Sequence, residues 1–260
     1  MKDKNSKEFV IYNNKRHYVN YFEFSSLNLT DLGIKDISEI KGLDKLHTLQ
    51  HLHLSYNQIS QIKDLYCLKN LEWLRLEANK ITEINGLENL RNLNELNLCY
   101  NQISKIEGLD SLTNLKILRM YGNQIKEITG LENLKNLEIL ELGEAHYQSG
   151  NLIREINDLE NLTNLKELRL PYNCIEEIKG LDNLRNLIIL DFHKNKISEI
   201  KGLEKLKKLE WLDLSNNQIT EFKGLDKLNN LIWLFLEPEL LKGTEFEEHT
   251  VYDYETGEPL

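Results

Sequence analysis

Asn57, Asn79, Asn101, Asn123, Asn151, Asn173, Asn195 and Asn217 stand 22 residues apart, with one step of 28 between Asn123 and Asn151. Around each runs the phrase L-x-L-x-x-N-x-I-x-x-I-x-G-L-x-x-L-x-x-L, read cleanly as LNLCYNQISKIEGLDSLTNL from Leu96 to Leu115. A fixed period of this length decides the fold before local propensity does. One such unit cannot bury its own apolar face, so units must stack into a quasi-one-dimensional array.

Each unit carries two periodicities. The L-x-L segment, as Leu74 and Leu76 in WLRLEAN, alternates in and out like a strand. The following apolar residues recur every third position, as Ile81, Ile84, Leu87, Leu90 and Leu93. Spacing of three without an i+4 partner does not suit a long α-helix and fits turns and short 3₁₀ segments. The expected fold is therefore an α/β repeat solenoid of about nine units, with a parallel sheet on one side and 3₁₀ or turn segments on the other.

The recurring polar residues have structural roles. Each Asn lies where the chain leaves its strand, and a buried amide there satisfies backbone groups that lack a sheet partner. A second column holds Gly42, Gly86, Gly108, Gly130, Gly180, Gly202 and Gly224, with Asp64 and Asp158 at the two replaced positions. Gly and Asp tolerate positive φ, so a left-handed turn is expected there.

The phrase resembles the leucine-rich repeat, in the 22-residue class found in the phosphatase-1 regulatory subunit and in bacterial internalins. The resemblance covers roughly Leu27 to Leu236. It implies a curved solenoid whose concave face is the parallel sheet, and a protein-binding role.

The ends depart from the repeat, as they must if the core is not to be left open. Residues 1–26 form the expected N-terminal cap, with FVIYNNKRHYVNYFEF reading as a hairpin around Asn13 and Asn14. The solenoid then spans 27–236, with an insertion near 145–150 that accounts for the 28-residue step. Residues 237–260 are a C-terminal cap and acidic tail, either a closing flap or a loose end. The first unit has an ambiguous register: Leu27 and Leu29 match Leu52 and Leu54 at a spacing of 25, whereas Ile37 and Ile40 match Ile59 and Ile62 at 22.

Composition narrows the function classes. The formal net charge of −10 argues against a nucleic-acid partner, which favours a basic face. No apolar run approaches the ~18 residues of a membrane span. The start MKDKNSKEFV has no apolar stretch of signal-peptide length, so a cytoplasmic protein is expected and an internalin-like adhesin is not. Cys67, Cys99 and Cys174 are odd in number, lack C-x-x-C spacing and share no repeat position, which fits a reducing compartment. No metal, cofactor or catalytic residue is expected: G-x-S-x-G, phosphate-loop and H-E-x-x-H patterns are absent, and an open sheet is not expected to bury a carboxylate enough to tune it.

With the register fixed, each position can be assigned to core, turn or open face. The column before the first Leu holds His51, Trp73, Glu95, Ile117, Ile139, Glu167, Ile189, Trp211 and Trp233, and contains all three tryptophans of the chain. Such residues favour strands for packing reasons, and tryptophan also concentrates at interface hot spots. The column between the leucines includes Arg75, Arg119, Glu141, Arg169, Asp191, Asp213 and Phe235, where alternating sign suggests lateral ion pairs that orient a partner. Tyr121, Tyr172 and His193 line the strand ends, and His146 and Tyr147 in the insertion would overhang the rim.

The expected function is a non-enzymatic scaffold that binds a partner protein on its concave face, as a monomer. The alternative is a structural or self-associating module. A phosphatase-regulatory role has no residue of its own to support it.

Overall fold

The computed structural model describes residues 8–146 and 148–244, and the backbone of two short strands beyond them. β1 (Phe9–Tyr12) and β2 (Lys15–Tyr18) pair antiparallel. The turn between them puts Asn13 and Asn14 at φ 49° and 60°, the positive values that a two-residue turn between twisted strands requires. There follow β3 (Ser26–Asn28), β4 (His51–His53), β5 (Trp73–Arg75), β6 (Glu95–Asn97), β7 (Ile117–Arg119), β8 (Ile139–Glu141), β9 (Glu167–Arg169), β10 (Ile189–Asp191), β11 (Trp211–Asp213) and β12 (Trp233–Phe235). These ten lie side by side in sequence order as one parallel sheet. The sheet thus has ten strands rather than about nine, because the first unit contributes a full partner for β4.

The expected α/β label needs correction, and of the expected 3₁₀ or turn segments most are turns. Among the described residues the only α-helix is the single turn α1 (Pro238–Leu241), and 3₁₀ turns occur only in the first unit, at Ile37–Glu39 and Leu43–Lys45. Elsewhere the return path makes one i→i−3 bond every three residues, as Leu68 to Leu65 (2.9 Å) and Leu71 to Leu68 (3.0 Å). Consecutive bonds would make a helix, whereas isolated ones make a chain of turns.

Leucines and isoleucines of every unit are buried in one continuous core running from Val10 to Leu241. The Asn column ties neighbouring units together. In Asn101, Oδ1 accepts from the Ile81 N–H (2.9 Å), while Nδ2 donates to the carbonyls of Leu76 (3.0 Å) and Leu98 (3.1 Å). Asn79, Asn123, Asn195 and Asn217 repeat this arrangement. The Gly/Asp column adopts positive φ throughout, including Asp64 (61°) and Asp158 (55°). At Gly108 the chain also passes so close to its neighbour that a Cβ would lie 2.0 Å from the Ile84 carbonyl oxygen.

The first unit reconciles both spacings. Leu27 pairs with Leu52, a step of 25, and the three extra residues form one additional turn before Gly42. That turn is where the N-terminal hairpin docks, through paired 2.9 Å bonds between Ile11 and Lys41. The insertion spans Glu144–Ser149, one residue earlier than expected, and closes on itself through two bonds between those residues (2.8 and 3.0 Å). Gly150 then resumes the ladder by accepting from Gly122 at 3.0 Å. Near the C-terminus β13 (Tyr252–Asp253) pairs antiparallel with β14 (Glu258–Pro259). The rest of the tail, where a flap or loose end was expected, lies outside the described residues.

Candidate functional site

Leu52, Leu74, Leu96 and their equivalents turn into the core, so the residues on either side of them face outward from the sheet. Trp73, Ile117, Ile139, Ile189 and Trp211 are half-buried on this face, and Trp233 at its end is 37% exposed. The aromatic members form two groups. At the first end, His51 stacks on Trp73 (centroids 4.2 Å, 5°) and Phe24 packs on His51 at 4.7 Å. At the other end, Trp211 meets Trp233 at 6.2 Å and Phe235 at 4.8 Å. The three isoleucines lie between them, with Glu167 interrupting the run.

The expected ion-pair line is only partly formed. Arg119 donates to Glu141 (2.8 Å), and also to Glu95 in the neighbouring column (2.9 Å); Arg75 approaches the same Glu95 at 3.7 Å. Arg169 instead hydrogen-bonds Glu167 on its own strand at 3.2 Å. Burial pushes the Glu141 carboxyl up, against the opposing pull of Arg119 and Arg169.

Four of the residues expected to contact a partner are not open to solvent. Asp191 (4% exposed), Asp213 (0%), Phe235 (3%) and His193 (5%) are all interior. An aspartate reaches only one methylene above the sheet, so its carboxyl stays close to the backbone, and both acids accept from the N–H two residues on, in His193 and Ser215. The expectation that this sheet could not bury a carboxylate is therefore wrong. Burial pushes Asp191 up to about 6 and Asp213 well above the usual carboxylate range, the latter reinforced by the charge of Asp191. Asp213 Oδ1 accepts from the Ser215 N–H (2.9 Å) and hydroxyl (2.5 Å). The same Ser215 oxygen lies 2.8 Å from His193 Nδ1, and burial with the nearby Lys194 charge lowers His193 to about 4, leaving a neutral imidazole.

Along the rim, Tyr100 and Tyr121 meet edge-on at 5.3 Å, Tyr172 packs against His193 at 5.4 Å, and Lys194 lies over the Tyr172 ring. His146 is exposed, its N–H donating to Glu144 (3.2 Å); Tyr147 lies outside the described residues.

Two features escaped the sequence reading. Glu95 is the hub of the charge network, although it sits in the mainly apolar column. A second amide ladder, Asn70, Asn92, Asn114, Asn136, Asn164 and Asn186, donates to the carbonyl of a residue in the preceding unit, as Asn92 to Lys69 at 3.0 Å. Its first four members, Asn70, Asn92, Asn114 and Asn136, line an open polar groove of about 610 Å³ at the strand-entry edge. Its 22-residue spacing was the available signal. No cluster of metal-ligating side chains occurs among the described residues.

Sequence profiles described as leucine rich repeats match residues 22–81 and, in two-copy form, 69–111, 113–161, 163–205 and 185–227. Among solved structures, an internalin (inlF) from Listeria monocytogenes is 28% identical, with 80% of this chain and 65% of that one covered and a TM-score of 0.63. A leucine-rich repeat protein of Leptospira interrogans is 27% identical over 80% of this chain and 55% of its own, with a TM-score of 0.68. The repeat ectodomain of a plant membrane receptor kinase from Arabidopsis thaliana, solved in complex with a Casparian strip integrity factor, is 27% identical, covering 75% and 25%, with a TM-score of 0.62. This chain thus spans less than two thirds of each of these three proteins. No curated protein matches it.

Proposed function

Because the chain belongs to the leucine-rich repeat family, we propose that it is a non-enzymatic scaffold that binds a partner protein on the concave face of its sheet. The observation that carries this reading is the outward column of Trp73, Ile117, Ile139, Ile189, Trp211 and Trp233, a strip of large apolar side chains on a face whose core is already filled. Contiguous exposed apolar surface marks contact sites, and tryptophans dominate them energetically. The Arg75–Glu95–Arg119–Glu141 network beside the strip would set register and orientation rather than supply affinity. A preformed sheet also loses little conformational entropy on binding.

The test is a partner captured from source lysate by the wild type, purified, and titrated against the Trp211→Ala/Trp233→Ala variant. At least tenfold weaker binding with a melting temperature within a few degrees of wild type is expected. Equal affinity would refute the reading. A wild-type dimer in light scattering that the same variant loses would favour self-association instead. A reducing, cytoplasmic setting is part of the proposal, supported by the free thiols of Cys67, Cys99 and Cys174; recovery of the native protein from a secreted fraction would overturn that part.

A further inference from the structure

The chain contains one Asn-Gly pair, Asn85–Gly86, in the return path between β5 and β6. Gly86 belongs to the left-handed column, with φ 76°, and Asn85 just before it is exposed. Asn85 Nδ2 donates to Glu83 Oε2 at 3.2 Å, an exposed contact that water can replace. The Gly86 N–H donates to a side chain rather than to the ladder between units: Glu88 Oε1 accepts it at 3.2 Å.

The same column holds a natural comparison. Asn157 and Asp158 occupy the equivalent positions of a later unit, where Asn157 is likewise exposed and Asp158 has φ 55°. Asn157 also donates to the glutamate two residues before it, Glu155. The two places differ in the residue that follows the asparagine. Gly86 has no Cβ to shield its backbone nitrogen, whereas Asp158 carries one. In such a pair the nitrogen and the side-chain carbonyl carbon can close a five-membered ring. An intramolecular reaction of this kind outruns any external nucleophile wherever the two atoms can meet.

We propose that Asn85 is a site of spontaneous covalent modification, deamidating through a succinimide to aspartate and isoaspartate. The Gly86 nitrogen attacks Asn85 Cγ, and its proton passes to Glu88, which stands within reach of it. The Cγ–Nδ2 bond breaks, and ammonia leaves with that proton. Water then opens the ring, at Cγ to give aspartate or at the main-chain carbonyl to give isoaspartate. The net change is amide and water to acid and ammonia, and nothing else is consumed. The two products differ in what they do to the array. Isoaspartate routes the main chain through the side chain and adds a methylene before Gly86. There the chain runs so close to the preceding unit that even a Cβ would lie 2.3 Å from the Ile62 carbonyl oxygen. A close-packed column does not absorb an extra atom, so isoaspartate loosens the contact between these units. Aspartate only adds a charge beside Glu83 and Glu88.

The test holds the full chain at pH 8, with circular dichroism verifying that it stays folded, and follows digested samples by mass spectrometry with isoaspartate and aspartate peptides separated. Conversion at Asn85 is expected at least tenfold faster than at Asn157, with isoaspartate as the larger product. The urea midpoint of the aged protein should fall, while that of equally aged Asn85→Gln should not. Asp158→Gly places the same pair at the later unit, in a column that already favours glycine, and should speed conversion at Asn157 at least tenfold. Glu88→Gln should slow conversion at Asn85 several-fold. No conversion at Asn85 in the folded chain, or conversion to aspartate alone, would overturn the inference. Equal rates at Asn85 and Asn157 would overturn the role of Gly86, and an unchanged rate in Glu88→Gln would overturn the proton transfer. An unchanged midpoint after full conversion would overturn the effect on the array.

Discussion

Asn101 shows how much of the solenoid rests on single side chains. Its amide satisfies the Ile81 N–H and the Leu76 and Leu98 carbonyls at 2.9 to 3.1 Å, all at residues that are 0% exposed. Water cannot replace these bonds without opening the core. Truncating the side chain therefore leaves three buried groups unsatisfied, at a cost of about 1–3 kcal/mol each before relaxation. Asn101→Ala should lower stability by roughly 3 kcal/mol or more, seen in urea denaturation as a reduced midpoint. Asn92→Ala is the control: its amide donates to the Lys69 carbonyl at 3.0 Å in an exposed setting, where solvent can take over, and the loss should be about 1 kcal/mol or less. Equal losses would mean that the inner ladder is not the tie between units.

At the scale of elements, the six-residue insertion is separable from the array. Glu144–Ser149 bonds to itself at its base, and Gly150 carries the unit-to-unit ladder through the Gly122 N–H. Deleting 144–149 joins Gly143 to Gly150 and restores a 22-residue step, so the melting temperature should move by only a few degrees. A loss of cooperative unfolding would show instead that the loop supports the array. This element was legible in the sequence because an even period makes any excess visible. So were the strands, their parallel order and the left-handed Gly/Asp column, each announced by one residue type at one position. A second left-handed column just before the Asn, with Tyr56, Ala78, Tyr100, Tyr172, Lys194 and Asn216 at φ near 55°, was not legible. Its residues share no chemistry, and the ladder geometry around the Asn imposes the conformation. The depth of Asp191 and Asp213 was hidden for a related reason. In their column they look like Arg75 or Glu141, and their burial depends on neighbours that the column itself does not reveal.

For the whole molecule, these buried groups give the two ends opposite responses to pH. At the first end, burial lowers the His51 and His53 pKa values, so the folded state resists protons that the unfolded chain would bind near 6.5. Stability there is lost as pH falls through that value. At the other end Asp191 is raised to about 6 and Asp213 well above 3.8, so the folded state holds protons that the unfolded chain has released. That contribution is fully present below about 3.8 and is lost as pH rises through the folded values. His193, lowered to about 4, opposes the pair with one group against two. A repeat array couples mainly nearest neighbours, so its ends can respond separately. Between pH 8 and pH 6 the C-terminal repeats should therefore gain stability relative to the N-terminal ones. The tryptophans allow the comparison: Trp73→Phe leaves reporters only at the C-terminal end, and Trp211→Phe/Trp233→Phe leaves one only near the start. The urea midpoint of the first variant should rise relative to that of the second on lowering the pH, and adding Asp213→Asn should remove most of that rise. Midpoints that move together at both pH values would show that the array unfolds as one unit and that the acid pair is not felt locally.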